Sequence, residues 1–475
     1  MTETIGKADV TLGREKGAML SGEVSKGVAV KGGGGDASMA RMIINLVKAT
    51  VAVGALSLPS GIATFGSSPS AVLPALAIMS IMATLSAYGF SLIGRVCHYT
   101  GAASYREAWS RTVSPKTSWI VSAVCTLKCL SSVLSFSVGL ADAARGIARS
   151  ASGGRNVVSR TVALWSVTVS VLFPLCLVRD LSSLAPYSAM GVGALVSAAI
   201  AMIVRYRGGG YVPPDGRFLA DVSENLRPSF DLAGGRMTDV FRTKTLVFVC
   251  MLSTVFMAHF SAPRFFLELR HNTLPRFNAM VATSFASAAV LQMCIAAAGF
   301  LTFGKACSGL VLNNYGPGDS LMGAARIAVA VAVALTYPIP FSGCRDGVMD
   351  LMGIKSLSSR GRDGDSNDGR ASSIHLTLTV VLLGSVTAAA CRVRDLGLVL
   401  SLGGATLGNA LIYVFPALMF WGVVRNMERD NADGMTTARL RWLRAEARLA
   451  ILYGVFGAVL GVVGGTAAVR GRMGK

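Results

Sequence analysis

Charge is scarce in this chain. Only 15% of its 475 residues are Asp, Glu, Lys or Arg, against about 25% in ordinary soluble domains. No polar segment is long enough to bury a core of its own, which excludes a soluble catalytic domain. Histidine is scarcer still, with four scattered copies. A membrane enzyme would need nucleophile, base or metal ligands clustered on its helices, so the chain is not expected to be an enzyme. The nine cysteines show no zinc spacing, and their odd number defines no disulfide framework. Cys125, Cys129, Cys176, Cys250 and Cys294 lie inside apolar blocks and read as small apolar filler. No apolar stretch precedes Arg41, so no secretory signal is expected, and Met1 to Met19 lacks transit-peptide character. The net charge of +20 forms no basic patch interleaved with stacking aromatics. That excludes a nucleic-acid partner and favours lipid headgroups.

What the chain has in quantity is apolar sequence: 52% hydrophobic residues and a mean hydropathy of +0.56. The apolar residues fall in blocks of about 20, the length that spans a hydrocarbon core of about 30 Å as helix. Eleven candidate spans follow, at 43–63, 70–97, 119–141, 160–178, 185–204, 245–263, 279–303, 322–343, 373–391, 396–422 and 447–469. The expected class is an all-α polytopic membrane protein, because only helices or closed barrels satisfy the backbone in lipid. Residues 1–40, with the run VKGGGGDAS, read as a disordered cytosolic tail. Two halves, 41–204 and 245–422, flank a polar connection at 205–244. A cytosolic loop at 423–446 precedes the last span, within 447–475. Arg106, Arg111 and Lys116 between spans 2 and 3 put the amino terminus in the cytosol. Four arginines in the 142–160 connection run against that rule.

Polar residues at membrane depth carry the functional reading. Span 1 contains NLVKATVAVGALSLPS, with Lys48, Thr50, Gly54, Ser57 and Pro59. Gly54 and Pro59 both weaken a helix. Lys48 either snorkels to the interface or places its ammonium inside the protein. Span 6, VFMAHFSAPRFFLEL, groups His259, Ser261 and Pro263, with Arg264 and Glu268 four apart on one helix face. His259 reads either as a proton relay or as a packing histidine. Interrupted helices at matching places in two halves point to an inverted repeat with discontinuous helices. Pro338 and Pro340 must kink or end span 8, and Arg179, Asp180 and Ser182 read as a hinge between spans 4 and 5. Thr377 and Thr379 sit in an apolar span 9, and Asn409 of span 10 needs a hydrogen-bond partner.

Taken in order, NLVKATVAVGALSLP, TLSAYGFSLI, PLCLVRDLSSLAPYSAMG, VFMAHFSAPRFFLEL, AAAGFLTFG and CRVRDLGLVLSLGGATLGNALIYVFPALMF resemble the amino acid/auxin permease family over about residues 41–422. The resemblance implies a LeuT-like five-plus-five inverted repeat with an eleventh transmembrane helix. It implies secondary active transport of L-amino acids by alternating access. The backbone of Ala52, Val53, Gly54 and Ala55 would hold the substrate's charged groups, with His259, Phe260 and Ser261 lining the same pocket. Sodium-coupled relatives look to use an asparagine where this chain has Lys48, together with a threonine matched by Thr377. An ammonium at that position would repel sodium, so the expectation is proton-coupled, sodium-independent transport, with no cofactor other than the coupling proton. Mostly apolar neighbours favour a neutral amino acid. A sodium-coupled transporter and a transport-inactive sensor or scaffold are the alternatives. A channel would show filter or voltage-sensor signatures that are absent from the sequence. Vacuolar, lysosomal and plasma membranes are equally open, as is the oligomeric state.

Overall fold

A computed structural model describes residues 35–51, 53–151, 159–177, 187–231, 243–352, 369–393, 396–430 and 437–473. Among these, ten helices are long and apolar enough to cross a membrane, and a pair bent by 46° makes an eleventh. The bent pair is α1, Met39–Thr50 followed by Leu58–Phe65. Next come α2 (Val72–Thr100), α3 (Ser118–Ala151), α4 (Arg160–Leu177) and α5 (Tyr187–Arg207). The broken α6 is Thr243–Val255 plus Ala262–Glu268, and α7 is Leu274–Phe303. Then follow α8 (Ser320–Leu351) and α9 (Gly369–Arg392). Helix α10 runs from Leu396–Gly403 through two π turns into Phe415–Asp430, and α11 is Thr437–Met473. The eleven expected spans are all present, mostly longer than hydropathy drew them. The 142–160 connection begins as further turns of α3, where Asp142 accepts from Arg160 at 2.9 Å. The hinge residues Arg179, Asp180 and Ser182 lie outside the described residues.

Local chemistry sets the helix ends. Ser104 accepts from Glu107 N–H while the Glu107 carboxylate accepts from Ala103 N–H, a capping box that starts the short helix Tyr105–Thr112. Gly101, at φ +66, ends α2 in the left-handed conformation that glycine adopts without strain. At Tyr337 the α8 helix is jointed rather than ended, with Pro338 and Pro340 in the turn after the joint. Thr379 donates back to His375 carbonyl at 2.8 Å, so its hydroxyl is satisfied within its own helix. Arg264 and Glu268 pair at 2.6 Å on the exposed side of α6.

The bundle wraps the two broken helices. Helix α7 packs against α1 and α2, α8 against α3 and α5, and α10 against α11. The α6 and α10 spans are the most enclosed, each with 72% of its window buried. The connection after α5 is folded: Tyr211 is buried against Phe303 and Tyr315. It closes on Asp319, the N-cap of α8, whose carboxylate accepts from Arg205 Nε at 2.7 Å, Arg205 Nη2 at 2.8 Å and the Tyr211 hydroxyl at 3.0 Å. Burial alone would push this carboxyl up. The hydrogen bonds from Arg205, Met322 N–H and Tyr211 outweigh it and hold the group below its ordinary value.

Because the folded value lies below the unfolded one, the stabilisation is complete above the unfolded pKa of about 3.9. It fades as pH falls through the folded value. Asp319→Asn should therefore lower stability at pH 7 by about 3 kcal/mol, as removal of one partner of a buried pair does. In thermal unfolding of the detergent-solubilised protein, the gap to wild type should close below about pH 4. A gap that persists unchanged to lower pH would show that the carboxylate charge is not what matters.

Candidate functional site

The two breaks are built alike. In α1, the Thr50 hydroxyl donates to the Leu46 and Val47 carbonyls, each at 3.0 Å, at the point where the helix stops. Val51 leaves helical geometry at φ −95, ψ 79. A tight 3₁₀ turn, Val53–Ser57, leads into the second half, with Ser57 donating to the Gly54 carbonyl at 2.7 Å and Pro59 in the first turn. In α6, Ala258 departs to φ −135, ψ 12, and the 3₁₀ turn His259–Ser261 leads into the second half. Ser261 donates to the Ala258 carbonyl at 2.5 Å, and Pro263 stands in the first turn. Both breaks thus carry Ser-x-Pro, as SLP and SAP. Serine ties a freed carbonyl and proline restarts a helix where no N–H is needed.

The breaks touch. A Cβ added at Gly54 would lie 3.0 Å from Val255 Cγ2, so only glycine lets α1 reach α6 without displacement. Around this contact lies a cavity of about 160 Å³. Helix α1 contributes Ala49, Thr50 and Gly54, and α6 contributes Thr254, Val255, Met257, Ala258, Phe260 and Ser261. Helix α3 adds Lys128, Cys129, Ser132, Ser135 and Phe136, α8 adds Ile339, Pro340 and Gly343, and α10 adds Leu400. The cavity has room for several waters, the scale of a small solute. Among the described residues the wall is apolar with interspersed hydroxyls and a single charged group, Lys128.

Of the residues expected from sequence, Gly54, Phe260 and Ser261 line the cavity. Ala52 lies outside the described residues. Ala55 is fully buried beside the cavity without lining it. Val53 faces a second, smaller cavity together with Lys48, Val51, Gly191, Val333 and Thr336. Lys48 is 7% exposed and runs along α5, where a Cβ at Gly191 would lie 3.3 Å from its Cε. It therefore points inward instead of snorkelling, into the seam of α1, α5 and α8. His259 is fully buried but turned away from the cavity, with Nε2 2.9 Å from the Ser86 carbonyl of α2 and its ring edge-on to Phe90 and Phe285. Thr377 is exposed on the outer face of α9 and joins neither cavity. Burial instead selects Thr379, one alternate position along that helix. Asn409 of α10 donates to the Ala405 carbonyl at 3.3 Å, but its buried Oδ1 has no hydrogen-bond partner among the described residues.

Two residues of the site escaped the sequence reading. Lys128 is 4% exposed and stands in α3 with Ser132 and Ser135 at i, i+4 and i+7. That spacing puts all three on one helix face. Gln292 of α7 is fully buried and donates its amide Nε2 to the Thr50 carbonyl at 3.2 Å. Its Oε1 has no hydrogen-bond partner among the described residues. A buried acceptor oxygen without a donor asks for an explanation, and a cation is one.

The chain belongs to the family described as transmembrane amino acid transporter protein, which it matches over residues 35–468. It is a multi-pass membrane transporter of amino acids, not an enzyme. It is 22% identical over 442 residues to "Putative sodium-coupled neutral amino acid transporter 11" of Danio rerio, covering 91% of this chain and 87% of that protein. It is 21% identical over 258 residues to "Vacuolar amino acid transporter 2" of Saccharomyces cerevisiae, covering 54% of this chain and 50% of that one. Among solved structures it resembles the inward-facing conformation of Mhp1, with TM-score 0.51, 14% identity and coverage of 93% and 92%. A Na⁺-coupled sialic acid symporter matches with TM-score 0.50, 10% identity and coverage of 92% and 91%. The fold is LeuT-like. The expectation of sodium-independent, proton-coupled transport is overturned by the relatives that span most of the chain, whose names are those of sodium-coupled transporters. The reasoning from Lys48 failed for a physical reason. It let one buried cation exclude sodium from the whole interior, whereas the ammonium lies in a seam separate from the central cavity.

Two substitutions test this geometry. Gly54→Val drives a branched side chain into Val255 and should cut substrate uptake by roughly ten- to a hundred-fold, the scale of 1–3 kcal/mol of overpacking. His259→Phe removes the second bond to the Ser86 carbonyl, which keeps its partner within α2, and should cost about 0.5–1.5 kcal/mol in thermal unfolding. It should leave the pH profile of uptake unchanged. A flattened profile would place the imidazole in the transport cycle after all.

Proposed function

We propose that the protein is a sodium-coupled secondary active transporter of L-amino acids that works by alternating access. The observation that carries this reading is the meeting of two broken helices at one cavity. At each break the resumed helix presents free N–H groups and the interrupted one presents free carbonyls. The first suit a carboxylate and the second an ammonium, so a zwitterion complements both. The backbone of Ala52, Val53, Gly54 and Ala55, with Phe260 and Ser261, holds the substrate's main chain in this reading. The same Ser-x-Pro break in the first helix of each half supports treating α1–α5 and α6–α10 as inverted repeats, one of which rocks against the other.

The names of the widest-covering relatives support sodium as the coupled ion. The Gln292 Oε1 left open beside the α1 break supplies the chemistry, because a hard cation takes oxygen ligands. Sodium held there lies next to backbone that also faces substrate, which is the arrangement coupling requires. Lys48 fills the α1–α5–α8 seam and braces the first half of α1 without touching substrate.

Reconstituted into proteoliposomes, the protein should take up labelled amino acids down an inward sodium gradient. Replacing sodium with choline should reduce uptake by about tenfold or more. Gln292→Leu should raise the sodium concentration for half-maximal uptake several-fold, with a smaller effect on maximal rate. Uptake indifferent to sodium would sink the coupling, and binding without flux would sink the transport reading.

A further inference from the structure

Lys128 is the one charged residue among those described on the wall of the central cavity, and nothing in the reading above uses it. It lies ten residues into α3, counted from Ser118. That is about 15 Å along the axis, well inside a helix of 34 residues that is long enough to cross a core of about 30 Å. A lysine at that depth requires an anion or water. Among the described residues no Asp or Glu lines the cavity, and no ion pair reaches Lys128. Asp346 lies one turn beyond Gly343 on α8 and is not part of the wall. The contrast with Lys48 is instructive. Lys48 is folded along Gly191 in a seam of about 20 Å³, whereas Lys128 borders the space of about 160 Å³ that substrate would enter.

The main-chain groups of a bound amino acid are already matched by the α1 and α6 breaks. Lys128 belongs to a different wall, α3, with the Ser132 hydroxyl one turn along the same face. From this placement we infer that Lys128 selects the substrate's side chain by charge. It favours amino acids whose side chain ends in a carboxylate over uncharged ones of equal size, and bars cationic ones. A cavity of about 160 Å³ suits the short acidic side chains. The inference rests on the transport reading and deepens it by naming the substrate class.

The test uses isosteric pairs. In proteoliposomes under a sodium gradient, uptake of labelled L-glutamate against L-glutamine, and of L-aspartate against L-asparagine, is measured for wild type, Lys128→Met and Lys128→Arg. Wild type should prefer the acid by about tenfold or more, the scale of one charge-assisted hydrogen bond. L-lysine should not compete. Lys128→Met should bring the acid-to-amide ratio to about one or below, and Lys128→Arg should restore a preference for the acid. Equal or better uptake of the amides by wild type overturns the inference while leaving the transporter reading intact. A Lys128→Met variant that loses acid and amide in proportion also overturns it, because the lysine would then hold the main-chain carboxylate common to both. The wild-type arm needs no variant to fold. It can be repeated as ligand-induced thermal stabilisation of the solubilised protein, where the acids should raise the unfolding temperature more than the amides. Sodium-driven uptake of none of these amino acids would overturn the transport reading as well.

Discussion

Everything in this fold depends on how two interrupted helices keep their backbone paired inside hydrocarbon. An unpaired N–H or carbonyl there costs several kcal/mol, so a break survives only where protein or cavity water shelters it. The structure meets that demand with the same device twice. A 3₁₀ turn keeps part of the backbone bonded, a serine hydroxyl takes one freed carbonyl, and a proline resumes the helix. Both breaks border the shared cavity. The neighbouring helices act mainly as walls around these breaks, and α6 has 72% of its window buried, as has α10.

The buried cations sort by what answers their charge. Arg326 donates to the Leu312 and Tyr315 carbonyls at the end of a short 3₁₀ turn. Arg345 reaches the Cys176 carbonyl near the end of α4 and the Thr379 hydroxyl. Both use the partial negative charge that collects where a helix stops. Arg205 takes a full carboxylate in Asp319, and Arg95 of α2 pairs with Glu446 of α11. These arginines join helices and connections that do not adjoin in sequence, so charge here serves as an internal fastener. Lys128 breaks the pattern, because among the described residues neither a carbonyl nor a carboxylate bonds to it.

Much of this was legible in the sequence, and the division follows from physics. Span number and the two breaks depend on hydrophobic length and on local glycine and proline chemistry, both of which one chain segment displays. The direction a side chain takes around its helix depends on which neighbours pack there, and one segment does not display that. Thr377 and Thr379 are two residues apart in the same apolar run, yet one is exposed and the other fully buried. His259 stands between two cavity-lining stretches and still turns towards α2, because Ser86 offers a carbonyl and Phe90 and Phe285 offer ring edges. Lys128 was hidden because a single lysine between Leu127 and Cys129 breaks no obvious pattern until Ser132 and Ser135 are seen on its face.

The coupling ion shows the limit most sharply. Lys48 is an interior charge, as one of its two sequence readings held, but an interior charge does not by itself exclude sodium. A cation repels another only in proportion to proximity and to the dielectric between them. Among the described residues, the seam that holds Lys48 and the cavity at the breaks have Phe136 alone in common. Between them runs the α1 backbone, whose Thr50 carbonyl is already engaged by Gln292 from the far side. In the sodium-coupled reading proposed above, an ion at the break would take its oxygens from α1 and α7, with Lys48 on the other side of α1 as an opposing charge. In that reading the position of Lys48 is compatible with a bound cation, because its charge and the break lie on different sides of the α1 backbone.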